Sequence, residues 1–98
     1  MTHIPTRHPY SRIAAANAPE TGGLLYLFVL DRLEWVQWDA NLRAGLLDLY
    51  DLYPEATDFA CSTCSAAEGE PIAEKLQSAY QLADRKSQKK PLGAAAGR

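Results

Sequence analysis

β-Branched aliphatic side chains are scarce in this sequence. Valine and isoleucine together number five, against thirteen leucines and sixteen alanines. Sandwiches and barrels are rich in β-branched residues, whereas alanine and leucine favour helices. A chain of 98 residues also forms one domain at most. The composition therefore predicts an all-α fold, a small bundle of about two to four helices.

The chain also lacks a long apolar run. The longest, residues 24–30, has seven residues, and a helix needs roughly 20 to span a bilayer. Residues 1–12 contain two prolines and no apolar segment, unlike a secretory signal. These absences predict a cytoplasmic protein with no membrane partner.

Neither sign of charge dominates the whole sequence, but the two signs are unevenly distributed along it. The formal net charge is −2, but residues 19–84 sum to −9, residues 1–18 to +2 and residues 85–98 to +5. Net neutrality is thus a cancellation between segments. We expect an acidic surface flanked by two basic ends.

Proline, glycine and composition divide the chain into three parts. Residues 1–23 are predicted to be an N-terminal arm with one short helix, capped by Ser11, before Pro19. Residues 24–86 are predicted to form the helical domain. Residues 87–98 form a basic, low-complexity tail that we expect to be flexible.

Residues 24–53 hold ten of the thirteen leucines and both tryptophans. Periodicity alone also allows a buried strand over residues 24–30. A helix is favoured because no second segment reads as a strand to pair with it. The alternative to one helix over 24–53 is a break near residues 39–41, where Asp39 caps a second helix that Pro54 ends.

The rest of the predicted domain is simpler. Residues 54–69 are small and polar, which is typical of a loop. Residues 70–86 are predicted to form a separate helix, because Pro71 suits a first turn and an apolar stripe follows it.

Two apolar stripes appear when residues 24–53 are placed on one helix. One helix over 70–86 covers only one of them, so the stripe with the tryptophans is left for a second copy or a partner, because tryptophan is common in interface anchors. Two aspartates on the same segment join the predicted partner-binding set. The set is Trp35, Trp38, Leu42, Leu46, Leu49, Asp48 and Asp51.

Cysteine and histidine are equally scarce, with two of each. Cys61 and Cys64 have the CxxC spacing of metal and redox sites. Without two further assured ligands they are predicted to be inert thiols, and we expect no metal and no cofactor. The alternative is a Cys2His2 zinc site made by His3, His8, Cys61 and Cys64.

No catalytic motif is recognisable, so the chain is predicted not to be an enzyme. The predicted function is a small non-catalytic protein–protein interaction module, such as an adaptor, an accessory subunit or an inhibitor. One version is an acidic mimic of nucleic acid, as in phage-type inhibitors, and we expect a homodimer or a complex subunit. The alternative is a nucleic-acid-associated protein that uses its basic ends, with the Cys2His2 zinc site as its stabilising element.

Overall fold

The computed structural model describes residues 6–82, and the fold is α+β. Its centre is a four-stranded antiparallel sheet, so the predicted all-α helical bundle is wrong. Three helices accompany the sheet within these residues. The elements are β1 (His8–Pro9), α1 (Arg12–Ala16), β2 (Gly23–Val29), β3 (Arg32–Asp39), α2 (Leu42–Leu52), β4 (Asp58–Thr63) and α3 (Ala66–Ala79).

The strand order is β1-β4-β2-β3. A two-residue loop, Leu30 and Asp31, joins β2 to β3 as a hairpin, with Val29 opposite Arg32. β4 pairs with the other side of β2, and β1 pairs with β4 over two residues only. Within the described chain β2 is therefore a central strand and β3 is an edge strand.

β2 is buried on both faces, which explains its continuous apolar run. Leu25 and Leu27 face α1 and α2, whereas Tyr26 and Phe28 face α3. Strands covered on both sides lose the alternation of apolar and polar residues. The helix predicted over residues 24–53 is wrong for this reason, because a doubly buried strand and a buried helix share the same composition.

A bulge at Glu34 hides the period of β3. Leu27 lies opposite Trp35, but Phe28 lies opposite Leu33, so Glu34 is the extra residue. Leu33 and Trp35, two positions apart, therefore belong to opposite faces of the sheet. A regular alternation cannot be read across this point.

Several helix boundaries follow local signals. The predicted short helix is confirmed: the Ser11 hydroxyl accepts a hydrogen bond from the Ala14 N–H at the start of α1. The predicted break near residues 39–41 is also present, but Asn41 rather than Asp39 caps α2. Asp39 instead accepts a hydrogen bond from the Asn41 N–H.

α3 begins earlier than predicted, at Ala66 rather than residue 70. Ser65 and Glu68 form a capping box, in which each side chain accepts a hydrogen bond from the other residue's N–H. The helix ends at Ala79 with Gln81 at positive φ, a common C-terminal arrangement. Residues 83–86 of the predicted helix and the predicted tail, 87–98, lie outside the described residues.

The arm predicted over residues 1–23 is described from residue 6. Its β1 pairs with β4, and its α1 packs against α2. Among the described helices, none is long and apolar enough to cross a membrane.

Candidate functional site: the outer edge of β3

Most of the predicted partner-binding stripe fills the interior. Trp35, Leu42, Leu46 and Leu49 are buried between α2 and the sheet. The predicted stripe assumes one continuous helix, but Trp35 belongs to β3 and the leucines belong to α2, which packs against the sheet. Their partner-binding role stays a prediction.

Trp38 is half-buried on the opposite face of the sheet, among the side chains beneath α3. Its indole N–H donates a hydrogen bond of 3.0 Å to the Cys64 carbonyl oxygen. The structure thus separates the two tryptophans, which sequence reasoning had placed on one surface.

Asp48 and Asp51 are exposed on α2. Asp51 forms an ion pair of 3.0 Å with Arg12. Tyr10 lies nearby and donates a short hydrogen bond to the Leu46 carbonyl oxygen. The pKa of Tyr10 is raised, chiefly by burial and further by the neighbouring charges of Tyr50, Asp48 and Asp51.

The alternative zinc ligands are not brought together within the described chain. Cys61 packs on the α1 and α2 face, and Cys64 on the α3 face. His8 is described, whereas His3 lies outside the described residues. No group of three or more histidine, cysteine or acidic residues between residues 6 and 82 is placed to hold a metal.

His8 and Cys61 do share a recess of about 320 Å³ beside α1. Burial raises the pKa of the Cys61 thiol. A nucleophilic cysteine needs the opposite shift, because the thiolate is the reactive form. The recess therefore offers no activated nucleophile.

The most open feature of the sheet is the outer edge of β3. Backbone groups of successive strand residues point in alternating directions within the sheet. The Cys64 N–H donates to the Gly22 carbonyl oxygen, so the backbone groups of even-numbered β2 residues point toward β4 and those of odd-numbered residues, such as Leu25, point toward β3. Leu25 lies opposite Gln37, so the backbone groups of Gln37 point toward β2, and those of its neighbours Val36 and Trp38 point outward, away from β2. No described strand pairs with these groups.

α3 runs beside this edge and lies chiefly over β3. The Gln77 side chain donates a hydrogen bond of 2.7 Å to the Val36 carbonyl oxygen. This bond agrees with the outward direction of that carbonyl. A segment added at this edge would therefore contact the β3 backbone on one side and α3 on the other.

A groove of about 400 Å³ lies where β3 begins and α3 ends. Its lining is mixed: Leu33, Tyr80 and Leu82 are apolar or aromatic, and Arg32 and Glu34 form an ion pair at 3.2 Å. Tyr80 is 57% exposed there. The lining residues are Arg32, Leu33, Glu34, Tyr80, Gln81 and Leu82.

The described part of the chain is acidic as a whole. Residues 6–82 hold eleven acidic and five basic side chains, a net charge of −6. Four of the five basic side chains, all arginines, already form ion pairs with acidic residues. Long-range attraction consequently favours a positively charged partner.

Sequence reasoning missed the β3 edge. A signal was present, since tryptophan and valine in residues 35–38 are common in strands, but the bulge at Glu34 disguised it. No known protein family matches the chain, and no curated protein or solved structure was found to be similar to it. The candidate site therefore rests on its own geometry.

Proposed function

We propose that the chain is a non-catalytic protein–protein interaction module, and that its partner adds an extended segment to the outer edge of β3. The observation that carries this proposal is an eight-residue edge strand whose outer backbone groups meet no described strand. Unpaired edge groups are a template for another strand, and domains that bind peptides use them in this way.

The other sheet edge is a weaker candidate. β1 pairs with Asp58 and Phe59 and so covers part of β4. The β3 edge, by contrast, has α3 as a wall and the groove at one end. An added strand gains backbone hydrogen bonds from β3, and one of its apolar side chains enters the groove. It also replaces the Gln77 amide at the Val36 carbonyl oxygen.

An extended segment fits this edge better than a second copy. Paired strands lie about 4.8 Å apart, whereas packed helices need roughly 8–10 Å between their axes. Because α3 lies chiefly over β3, edge-to-edge pairing of two copies brings two α3 helices onto the same face. The net charge of −6 over residues 6–82 further favours a basic segment.

A displayed library of random peptides, each longer than β3, tests the proposal. We expect selection to enrich apolar and basic sequences whose binding perturbs the amide resonances of residues 32–39 and 80–82. Tyr80→Ser should weaken binding, because it removes the exposed wall of the groove. Ile13→Ser is the matched control, since Ile13 is 77% exposed on α1, away from β3.

Two results contradict the proposal. One is a selection that enriches nothing over a column without protein. The other is a set of peptides whose binding perturbs other residues and is insensitive to Tyr80→Ser.

The nucleic-acid alternative stays a separate prediction. It uses both basic ends: Arg7 and Arg12 are described and form ion pairs, whereas the basic side chains of residues 85–98 lie outside the described residues. Binding to DNA that weakens steeply with salt would favour it over peptide binding.

A further inference from the structure

Leu30 combines exposure with an unfavourable backbone conformation. It is the first residue of the β2–β3 loop, its φ is 57°, and 71% of it is exposed. Bulky residues rarely adopt positive φ, which glycine and asparagine tolerate. Among the described non-glycine residues, only Gln81 shares this feature.

Gln81 has an ordinary explanation. Its N–H donates to the Ser78 carbonyl oxygen, and the Leu82 N–H donates to that of Gln77. This is the hydrogen-bond pattern that closes many helices with a residue at positive φ. Leu30 has no such helix to close.

The backbone of Leu30 is held from both sides. Its N–H donates a hydrogen bond of 2.8 Å to the Thr57 hydroxyl, and the Arg7 guanidinium donates one of 3.0 Å to its carbonyl oxygen. Arg7 also pairs with Asp31 at 3.1 Å and lies 4.8 Å from the centre of the Phe28 ring. None of these interactions uses the Leu30 side chain.

A smaller residue would therefore keep every one of these bonds. Of the two loop residues, Leu30 has a positive φ and Asp31 does not. This combination is typical of a type II′ turn, in which the first central residue is usually glycine. A single exposed leucine needs no explanation. An exposed leucine at a glycine position does, because strained residues cluster at functional sites.

We infer that Leu30 is an anchor side chain for the partner, an inference that rests on the proposed function. Leu30 lies two residues before Arg32, where β3 and the groove begin. A segment paired with the whole of β3 ends beside it, and there it would carry an apolar residue. The hydrogen bonds of the turn already fix the Leu30 backbone, so little backbone freedom is lost on binding.

The occupant is thus an extended, basic segment with an apolar side chain at the end that passes the β2–β3 loop. Selected peptides should show this asymmetry. A shuffled peptide of the same composition, with the apolar residue moved to the opposite end, is expected to bind at least roughly tenfold more weakly.

Leu30→Asn and Leu30→Gly separate binding from stability. Both should raise the melting temperature, by roughly 3–6 °C, because they relieve the backbone conformation. Both should weaken binding of the best selected peptide at least roughly tenfold. Ile13→Asn is the matched control: it removes an exposed apolar side chain from a helix, so neither gain in melting temperature nor loss of affinity is expected.

The outcomes are distinguishable. Unchanged affinity of the Leu30 variants for a peptide that still perturbs β3 overturns the inference and leaves the proposed function standing. A lower melting temperature in both variants also overturns it, because the side chain then supports the fold. If no peptide binds the wild type, the proposed function fails, and the inference fails with it.

Discussion

Cys61 and Cys64 pack on opposite faces of the sheet, although only two residues separate them. Cys61 contacts the side chains beneath α1 and α2, and Cys64 contacts those beneath α3. Successive side chains of a strand alternate between faces. Cys64 directly follows β4 and its N–H still bonds to the Gly22 carbonyl oxygen, so it continues this alternation. The pairing of β4 with β2 therefore places the two thiols of the motif on different faces.

This arrangement predicts resistance to oxidation. The native protein, treated with diamide, should keep two thiols that react with iodoacetamide after unfolding, because a disulfide needs the two Cβ atoms within about 4.5 Å. Raised pKa at Cys61 also disfavours its thiolate. Mass spectrometry measures the result. The same treatment in urea, where the CxxC segment is unrestrained, is the control, and rapid native disulfide formation would contradict the placement.

Tyr10 should make stability depend on alkaline pH. Its pKa is raised in the folded chain, chiefly by burial, so the folded state holds the phenolic proton after the unfolded chain has lost it. The free energy of unfolding is then unaffected below about pH 10 and falls as the pH rises above it. Urea unfolding between about pH 9 and 11 measures the slope.

Tyr10→Phe is the control for that slope. It should reduce the proton uptake on folding above about pH 10 by up to one proton, while the contribution of Tyr26, whose pKa burial also raises, remains. At neutral pH it should cost about 1 kcal/mol, because the hydrogen bond from the Tyr10 hydroxyl to the Leu46 carbonyl oxygen is lost. An identical slope in both proteins would refute the assignment.

Gly69→Ala should destabilise the fold although Gly69 lies inside α3. Alanine in an exposed helix normally gains up to about 1 kcal/mol over glycine. A Cβ at Gly69, however, would lie 2.4 Å from Trp38 Cδ1 and 2.9 Å from Cys64 Sγ. We expect a loss of about 1–3 kcal/mol from overpacking. Ser78→Ala, at an exposed site of the same helix, should be neutral or slightly stabilising, and denaturant unfolding compares the two.

Signals that act over a few residues were readable from the sequence. Ser11 predicts the start of α1, and the break near residues 39–41 and Pro54 bracket α2. Each is a local event, because a cap or a proline satisfies or blocks backbone groups within one turn. The Ser65–Glu68 capping box was equally local and was overlooked.

The sheet, by contrast, was decided by contacts between distant segments. Residues 24–30 have the same composition whether they form a buried helix or a doubly covered strand. The choice depends on β4, whose residues 58–63 are small or polar apart from Phe59 and are typical of a loop. A strand is stabilised by hydrogen bonds to its neighbouring strands. Residues 58–63 therefore form a strand beside β2 although their sequence has no strand pattern.

The sequence by itself determined the length, the acidic residues 19–84 between two basic ends, the cap of α1 and the breaks on either side of α2. Only the tertiary structure decided that Trp35 and Trp38 lie on opposite faces and that β3 is an edge. It alone places Leu30 at positive φ, held by Thr57 and Arg7. Capping acts within one helical turn, whereas strand register and sheet edges arise from pairing between segments tens of residues apart. The sequence shows no regular alternation of apolar and polar residues where a bulge interrupts a strand or where both faces of the strand are covered.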